Sequence, residues 1–143
     1  MSFIRPIFTS LLATLLISGI SFAVESEYKF ISATDLQAQL ASRQPLNIID
    51  IQVEGEFAQK HINGAVPTYA YPVKDDSDRA KLDASVERLK ANADSVVIVC
   101  PRGGGGAKRT FDYLAQQGVA TERLLILEKG QQGWPYEELT ESN

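Results

Sequence analysis

The sequence predicts an α/β fold of three layers, a mostly parallel sheet of about five strands flanked by helices, on three observations. Short apolar runs alternate along the chain with segments of helical periodicity. The strongest run, Ser95-Val-Val-Ile-Val-Cys100, is continuously apolar and β-branched, the pattern of a strand covered on both faces. The chain has 143 residues, 44% hydrophobic and 22% charged, which is enough for one domain with a true core and too apolar for disorder.

The first segment lies outside this domain. Arg5 precedes an apolar stretch from Ile7 to Ile20, and Ser21-Phe22-Ala23 follows with small side chains at the two positions a signal peptidase reads. Residues 1–23 are therefore expected to be a cleaved secretory signal, leaving 24–143 as the working domain in the periplasm or outside the cell. The alternative, a retained anchor, is weaker because the run falls short of the roughly 20 apolar residues that a spanning helix needs. No stable membrane insertion is expected after cleavage.

Each element of the domain has its own signal. Tyr28–Ile31 reads as a short strand, and Ser32-Ala-Thr-Asp35 has the spacing of a capping box, opening a helix to about Ala41. Leu46–Ile51 is a buried strand. Glu54 to Lys60 reads as a short helix, ended by His61-Ile-Asn-Gly64, and Ala65-Val66 as another short strand. A loop rich in Tyr, Pro and Asp leads to Leu82, Val86 and Leu89, whose spacing predicts one helix over about 80–91. After Ser95–Cys100 comes a helix from about Ala107 to Gln117, closed by Gly118, and Leu124–Leu127 is the last buried strand. The acidic end from Glu137 to Glu141 reads as a solvated face or fraying tail.

Composition removes much chemistry. Fourteen Lys+Arg against 18 Asp+Glu give a net charge of −4, so no nucleic-acid partner is expected. One cysteine excludes an internal disulfide and a multi-cysteine metal site, and one histidine, His61, argues against a His-based metal cluster or a Ser-His-Asp triad.

What remains is Cys100 and its loop. In open α/β sheets ligands sit beyond the carboxyl ends of strands, where loops enter helix N-termini. Cys100 ends the strongest strand directly before Pro-Arg-Gly-Gly-Gly-Gly-Ala-Lys-Arg-Thr. Gly103, Gly104, Gly105 and Gly106 leave the backbone free to turn its N–H groups inward, toward an anion. The following helix presents its positive end, and Arg102, Lys108 and Arg109 add three cations. All three effects favour a thiolate with an oxyanion beside it. A strand-end cysteine is often only a small apolar residue, and a glycine run only a turn; their coincidence with cations and a helix start favours a site. The loop is not a Walker A loop, because Ala107 and Arg109 flank Lys108. Nor is it a Cys-x5-Arg phosphatase loop, because position 106 is glycine.

The chain resembles the single-domain rhodanese-like sulfurtransferases. Ile49-Asp50-Ile51-Gln52 with Glu56-Phe57 and His61-Ile-Asn-Gly-Ala65 resembles that family's Asp-Val-Arg, Glu-Phe and His-Ile-Pro-Gly-Ala pattern. Val97-Ile-Val-Cys100 with its glycine-rich loop resembles the catalytic strand and loop, and Leu127-Glu-Lys-Gly130-Gln-Gln-Gly133-Trp134 the closing Leu-Glu-Gly-Gly-x-x-x-Trp. Gln52 departs from the usual Arg, and Asn63 from the usual Pro. Where single-domain members carry Arg five positions after the cysteine, this chain has Gly105, and counting back from Leu114 and Gly118 the loop reads about two residues longer.

The resemblance implies covalent sulfur transfer that requires neither a metal nor an organic cofactor. The Cys100 thiolate would take the outer sulfur of an anionic donor such as thiosulfate and pass it to cyanide or a thiol. Loop atoms from Arg102 through Gly103, Gly104, Gly105, Gly106, Ala107 and Lys108 to Arg109 would bind the donor. Asp50, ending a neighbouring strand, is expected near the site as a loop-positioning residue, with His61 structural and Trp134 closing the core. Two other readings stay open: a catalytically weak anion- or partner-binding module, and a phosphatase or arsenate-reductase activity in a widened loop.

Overall fold

A computed structural model describes residues 27–143, so the expected signal segment lies outside the described residues. Among the described residues no helix is long and apolar enough to cross a membrane. The elements run β1 (Phe30–Ile31), α1 (Ala33–Ala41), β2 (Leu46–Asp50), α2 (Glu54–Gln59), β3 (His61–Ile62) and β4 (Val66–Pro67). They continue with α3 (Asp76–Ala80), α4 (Asp83–Lys90), β5 (Ser95–Val99), α5 (Gly105–Gln116), β6 (Leu124–Leu127) and β7 (Thr140–Glu141).

Five strands form one parallel sheet in the order β1-β6-β5-β2-β4. The apolar run at β5 occupies its centre, paired along its length with β2 and β6. Burial on both faces explains why its sequence does not alternate. Val96, Ile98 and Cys100 enter the core on one side, with Leu82, Val86 and Leu89 from the α4 region and Ala107, Phe111 and Leu114 of α5. Val97 and Val99 enter the other, with Leu36 of α1, Ile62, Leu127 and Trp134. Each fully buried aliphatic side chain contributes about 1.5–3 kcal/mol.

Local chemistry sets the ends of these elements. The Ser32 hydroxyl accepts the Asp35 N–H at 3.0 Å, which caps α1 as the sequence predicts. The stretch expected as one helix over about 80–91 is two. The Asp75 carboxylate accepts the Asp78 N–H at 2.8 Å, so α3 starts inside the acidic loop, and α4 follows after a break at Lys81 and Leu82. His61–Ile62 is not merely a helix end: it pairs antiparallel with Thr140–Glu141. The acidic terminus therefore forms a strand, with Lys60 paired to Glu137, and is not a fraying tail.

Candidate active site

The pleat of β5 carries on into the residue that follows it and determines which way that residue points. Cys100 follows Val96 and Ile98 onto the α5 side of the sheet, and only 2% of it is exposed. The chain then turns sharply, and the Gly103 N–H donates to Cys100 Sγ at 2.9 Å. This turn is clamped from behind by the segment after β6. The Gln131 N–H donates to the Cys100 carbonyl at 2.8 Å, and the Gln132 N–H to the Pro101 carbonyl at 3.0 Å. The close approach demands glycine at 130. Its φ is +58°, and a Cβ there would fall 2.1 Å from the Cys100 carbonyl oxygen.

In front of the sulfur lies a cavity of about 100 Å³ lined by Tyr71, Cys100, Pro101, Arg102, Gly104, Gly105, Gly106 and Arg109. The loop is shorter than the sequence suggests. Gly105 and Gly106 form the first turn of α5, leaving only 101–104 between the strand and the helix.

The three expected cations separate. Arg102 lines the cavity. Lys108 does not: it is exposed, and its Nζ sits 5.4 Å from the centre of the Tyr28 ring as a cation–π contact. Ala107 also leaves the expected set, being wholly buried in the core. Arg109 is the informative one. Side chains on a helix lean toward its N-terminus, so a residue one turn along covers the position four before it. The Arg109 Nε donates to the Pro72 carbonyl at 3.0 Å, and its guanidinium lies over Gly105, where an added Cβ would be 2.8 Å from Nη1. The chain thus lacks an arginine five positions after the cysteine but brings a guanidinium to that place from the next turn of the helix.

Tyr71 was not legible as a site residue. Its ring carbons lie 2.9 and 3.0 Å from where a Cβ on Gly106 would stand, so the aromatic face packs on the bare helix start. The turn that delivers it holds Tyr69 at φ +58° and Val73 at φ +59°, and the Tyr71 N–H donates to the Ile51 carbonyl at 2.9 Å. Positive φ at a β-branched residue is a strained arrangement that neighbouring structure must hold.

Asp50 is not in this cradle. It alternates with Ile49 and Ile51, which face Cys100's side, and so points to the opposite face of the sheet. Its two carboxylate oxygens accept the Gln52 backbone N–H at 2.9 Å and the Gln52 side-chain amide at 3.0 Å, which orders the turn into α2. Burial raises its pKa from 3.8 to about 6, against the opposing pull of the Gln52 hydrogen bonds. A neutral amide, where the family pattern has an arginine, gives no full charge to offset that burial. His61 is structural in the same region: it is buried, stacks on Phe57 at 3.8 Å between ring centres, and its Nδ1 lies 2.7 Å from the Phe57 carbonyl.

Comparison with known proteins agrees with this architecture. No curated protein matches the chain. Among solved structures, it is similar to a rhodanese-like domain protein from Staphylococcus aureus at 25% identity and a TM-score of 0.57, covering 80% of this chain and 98% of that one. A thiosulfate sulfurtransferase from Pseudomonas aeruginosa shares 23% identity at a TM-score of 0.62, over 82% of this chain but only 20% of that one. A yeast protein tyrosine phosphatase of the rhodanese family shares the fold at 17% identity and a TM-score of 0.58, covering 79% and 91% of the two chains. The family model for the rhodanese-like domain matches residues 32–136, from the α1 cap through the last turn after β6, and the chain belongs to that family.

Proposed function

We propose that the protein is a sulfurtransferase that carries sulfane sulfur on Cys100, with a small anionic donor such as thiosulfate and a thiophilic acceptor, cyanide or a thiol. The observation that carries this is the cavity itself: one cysteine sulfur, two arginines and the bare backbone of an α5 N-terminus converge on about 100 Å³. In the first half-reaction the Cys100 thiolate attacks the outer sulfur of thiosulfate. The new S–S bond forms as the S–S bond of the donor breaks, and the electron pair leaves with sulfite. The product is the anionic persulfide. In the second half an acceptor nucleophile takes the outer sulfur and the pair returns to Sγ.

Each residue has a physical role in this scheme. Arg109 and Arg102 attract the dianionic donor, and a guanidinium matches its oxygens with paired N–H groups. The Gly103 N–H and the first turn of α5 oppose the negative charge that stays on sulfur throughout. The signal-like pattern of residues 1–23 supports a site of action outside the cytoplasm. N-terminal sequencing of the exported protein, with Val24 as the expected first residue, checks that placement.

The experiment is the intact mass of the protein after incubation with thiosulfate. One added sulfur atom, removed by cyanide and absent in Cys100→Ser, establishes the donor half. The burial of Cys100 favours a second reading, a module that binds an anion without turning it over. That reading gains if the mass stays unchanged while thiosulfate still raises the melting temperature.

A further inference from the structure

Only 2% of Cys100 is exposed, so a donor meets its sulfur through the cavity of about 100 Å³ in front of it. That volume is well below the roughly 300 Å³ at which sites for drug-sized molecules begin. Most of the wall is loop and helix-start backbone between Pro101 and Gly106, and the two arginines end in flexible chains, that of Arg102 exposed. Tyr71 is the one bulky apolar side chain in the lining, and its backbone is held on both sides. Its N–H donates to the Ile51 carbonyl at 2.9 Å, and the next carbonyl, of Pro72, accepts the Arg109 Nε at 3.0 Å. The Val73 N–H closes the same turn onto the Ala70 carbonyl at 2.9 Å. The ring lies so near the start of α5 that a Cβ on Gly106 would stand 2.9 Å from its Cδ2, and 3.2 Å from Ile51 Cδ1. Close-packed against helix backbone, the ring cannot retreat toward α5 and yields little to a ligand beside it.

We infer that Tyr71 sets the size of the sulfur donor, admitting thiosulfate and turning away organic thiosulfonates, an inference that rests on the sulfurtransferase reading. The two donor classes present the same outer sulfur. An aryl thiosulfonate carries a six-carbon ring where thiosulfate has an oxygen, and its remaining oxygens still suit a guanidinium. Both transfers balance in the same way: the Cys100 thiolate attacks the outer sulfur, an S–S bond forms to Sγ and the S–S bond of the donor breaks. The electron pair leaves with sulfite in one case and with a sulfinate in the other. What separates the donors is bulk beside the reacting sulfur, and Tyr71 is the wall that reads bulk without carrying charge. Truncating its ring opens space that thiosulfate does not need and an aryl group fills. Arg109 keeps its anchor in that variant, because it bonds to the backbone of Pro72.

The test compares donors as a ratio. Persulfide formation from benzenethiosulfonate and from thiosulfate is followed by intact mass in wild type, Tyr71→Ala and Tyr71→Phe. The rate ratio of aryl donor to thiosulfate should rise about tenfold in Tyr71→Ala, the low end of what a pocket reads in apolar bulk, and stay within about twofold of wild type in Tyr71→Phe. An unchanged ratio in Tyr71→Ala overturns the inference, as does a Tyr71→Phe that behaves like Tyr71→Ala, since the hydroxyl would then be the determinant. Tyr71→Leu retains apolar packing and should shift the ratio in the same direction by less; it decides alone if Tyr71→Ala does not fold. A second pair of probes needs no sulfur transfer. Iodoacetamide and iodoacetanilide offer the thiolate the same carbon and the same iodide leaving group, and only the second adds a phenyl ring. With one cysteine in the chain, the alkylated mass reports Cys100 alone. The anilide should lag in wild type and gain about tenfold on the amide in Tyr71→Ala. Equal rates for the two in wild type overturn the size filter. If wild type takes sulfur from neither donor, the sulfurtransferase reading fails, while the alkylation pair still decides what Tyr71 does.

Discussion

The ends of β2 and β5 lie side by side in the sheet, Asp50 opposite Val99, yet they lead to opposite outcomes. Cys100, one step on, faces α5 and opens onto a cavity with two arginines. Asp50 faces the other way and is closed off by the amide groups of Gln52. Both are buried, and both end strands that the sequence marks clearly. The difference is one of pleat parity: neighbours in a sheet share a site only when they share a face. Reactivity at one strand end therefore coexists with a purely architectural carboxylate at the next.

Substitutions test this contrast, beginning where the largest effect is expected. Cys100→Ser should abolish thiosulfate:cyanide sulfur transfer while leaving the far-ultraviolet circular dichroism unchanged; turnover surviving in that variant would end the persulfide scheme. Arg109→Ala should lower kcat/KM for thiosulfate by about 10–100-fold, the usual value of a charge-assisted hydrogen bond, chiefly through KM. Gly105→Ala perturbs the same guanidinium more gently, since only the flexible end of Arg109 must shift. A loss of about threefold is expected, and a loss larger than that of Arg109→Ala would mean that Gly105 acts through its backbone.

On the other face, Asp50→Asn should leave sulfur transfer unchanged and alter stability. Its pKa rises from 3.8 to about 6 on folding, so the folded chain keeps a proton that the unfolded chain has already released. Stability from this group is present at low pH and is lost as pH rises through about 6, by about 3 kcal/mol in all. Denaturant unfolding from about pH 4 to about pH 7 should show that decline in wild type, and a slope shallower by the same amount in Asp50→Asn. Identical slopes would mean that Asp50 is ionised as readily folded as unfolded. The smallest effect is expected at Lys108→Ala, which should change kcat/KM less than about twofold because its ammonium sits on Tyr28, away from the cavity.

The sequence makes the central strands and the Cys100 loop legible because both signals are local: uninterrupted β-branched runs, and glycines followed by cations. The pairing of His61–Ile62 with Thr140–Glu141 is not local, and two-residue strands carry no periodicity to read. The sorting of Arg102, Lys108 and Arg109 required knowing where α5 starts. With the helix opening at Gly105 instead of Ala107, Lys108 turns toward Tyr28 and Arg109 comes back over the first turn. Tyr71 was invisible for a different reason, since its position depends on a strained turn and on the missing side chain of Gly106. Asp50 ends its strand beside Cys100, but the parity of that strand, which position along it does not give, turns its side chain to the other face.

The guanidinium over Gly105 has a consequence for how this loop varies. Its charge is specified by an angle around a helix, four residues and slightly more than one turn from the place it serves. One residue inserted or deleted between Gly105 and Arg109 would swing that charge about 100° away from the sulfur, although every residue type in the loop would survive. Conversely, moving the arginine from 109 to 105 would change two columns of an alignment and leave the positive charge nearly where it was. Column-by-column identity is thus a poor guide to charge in this loop; rotational phase is the quantity under constraint.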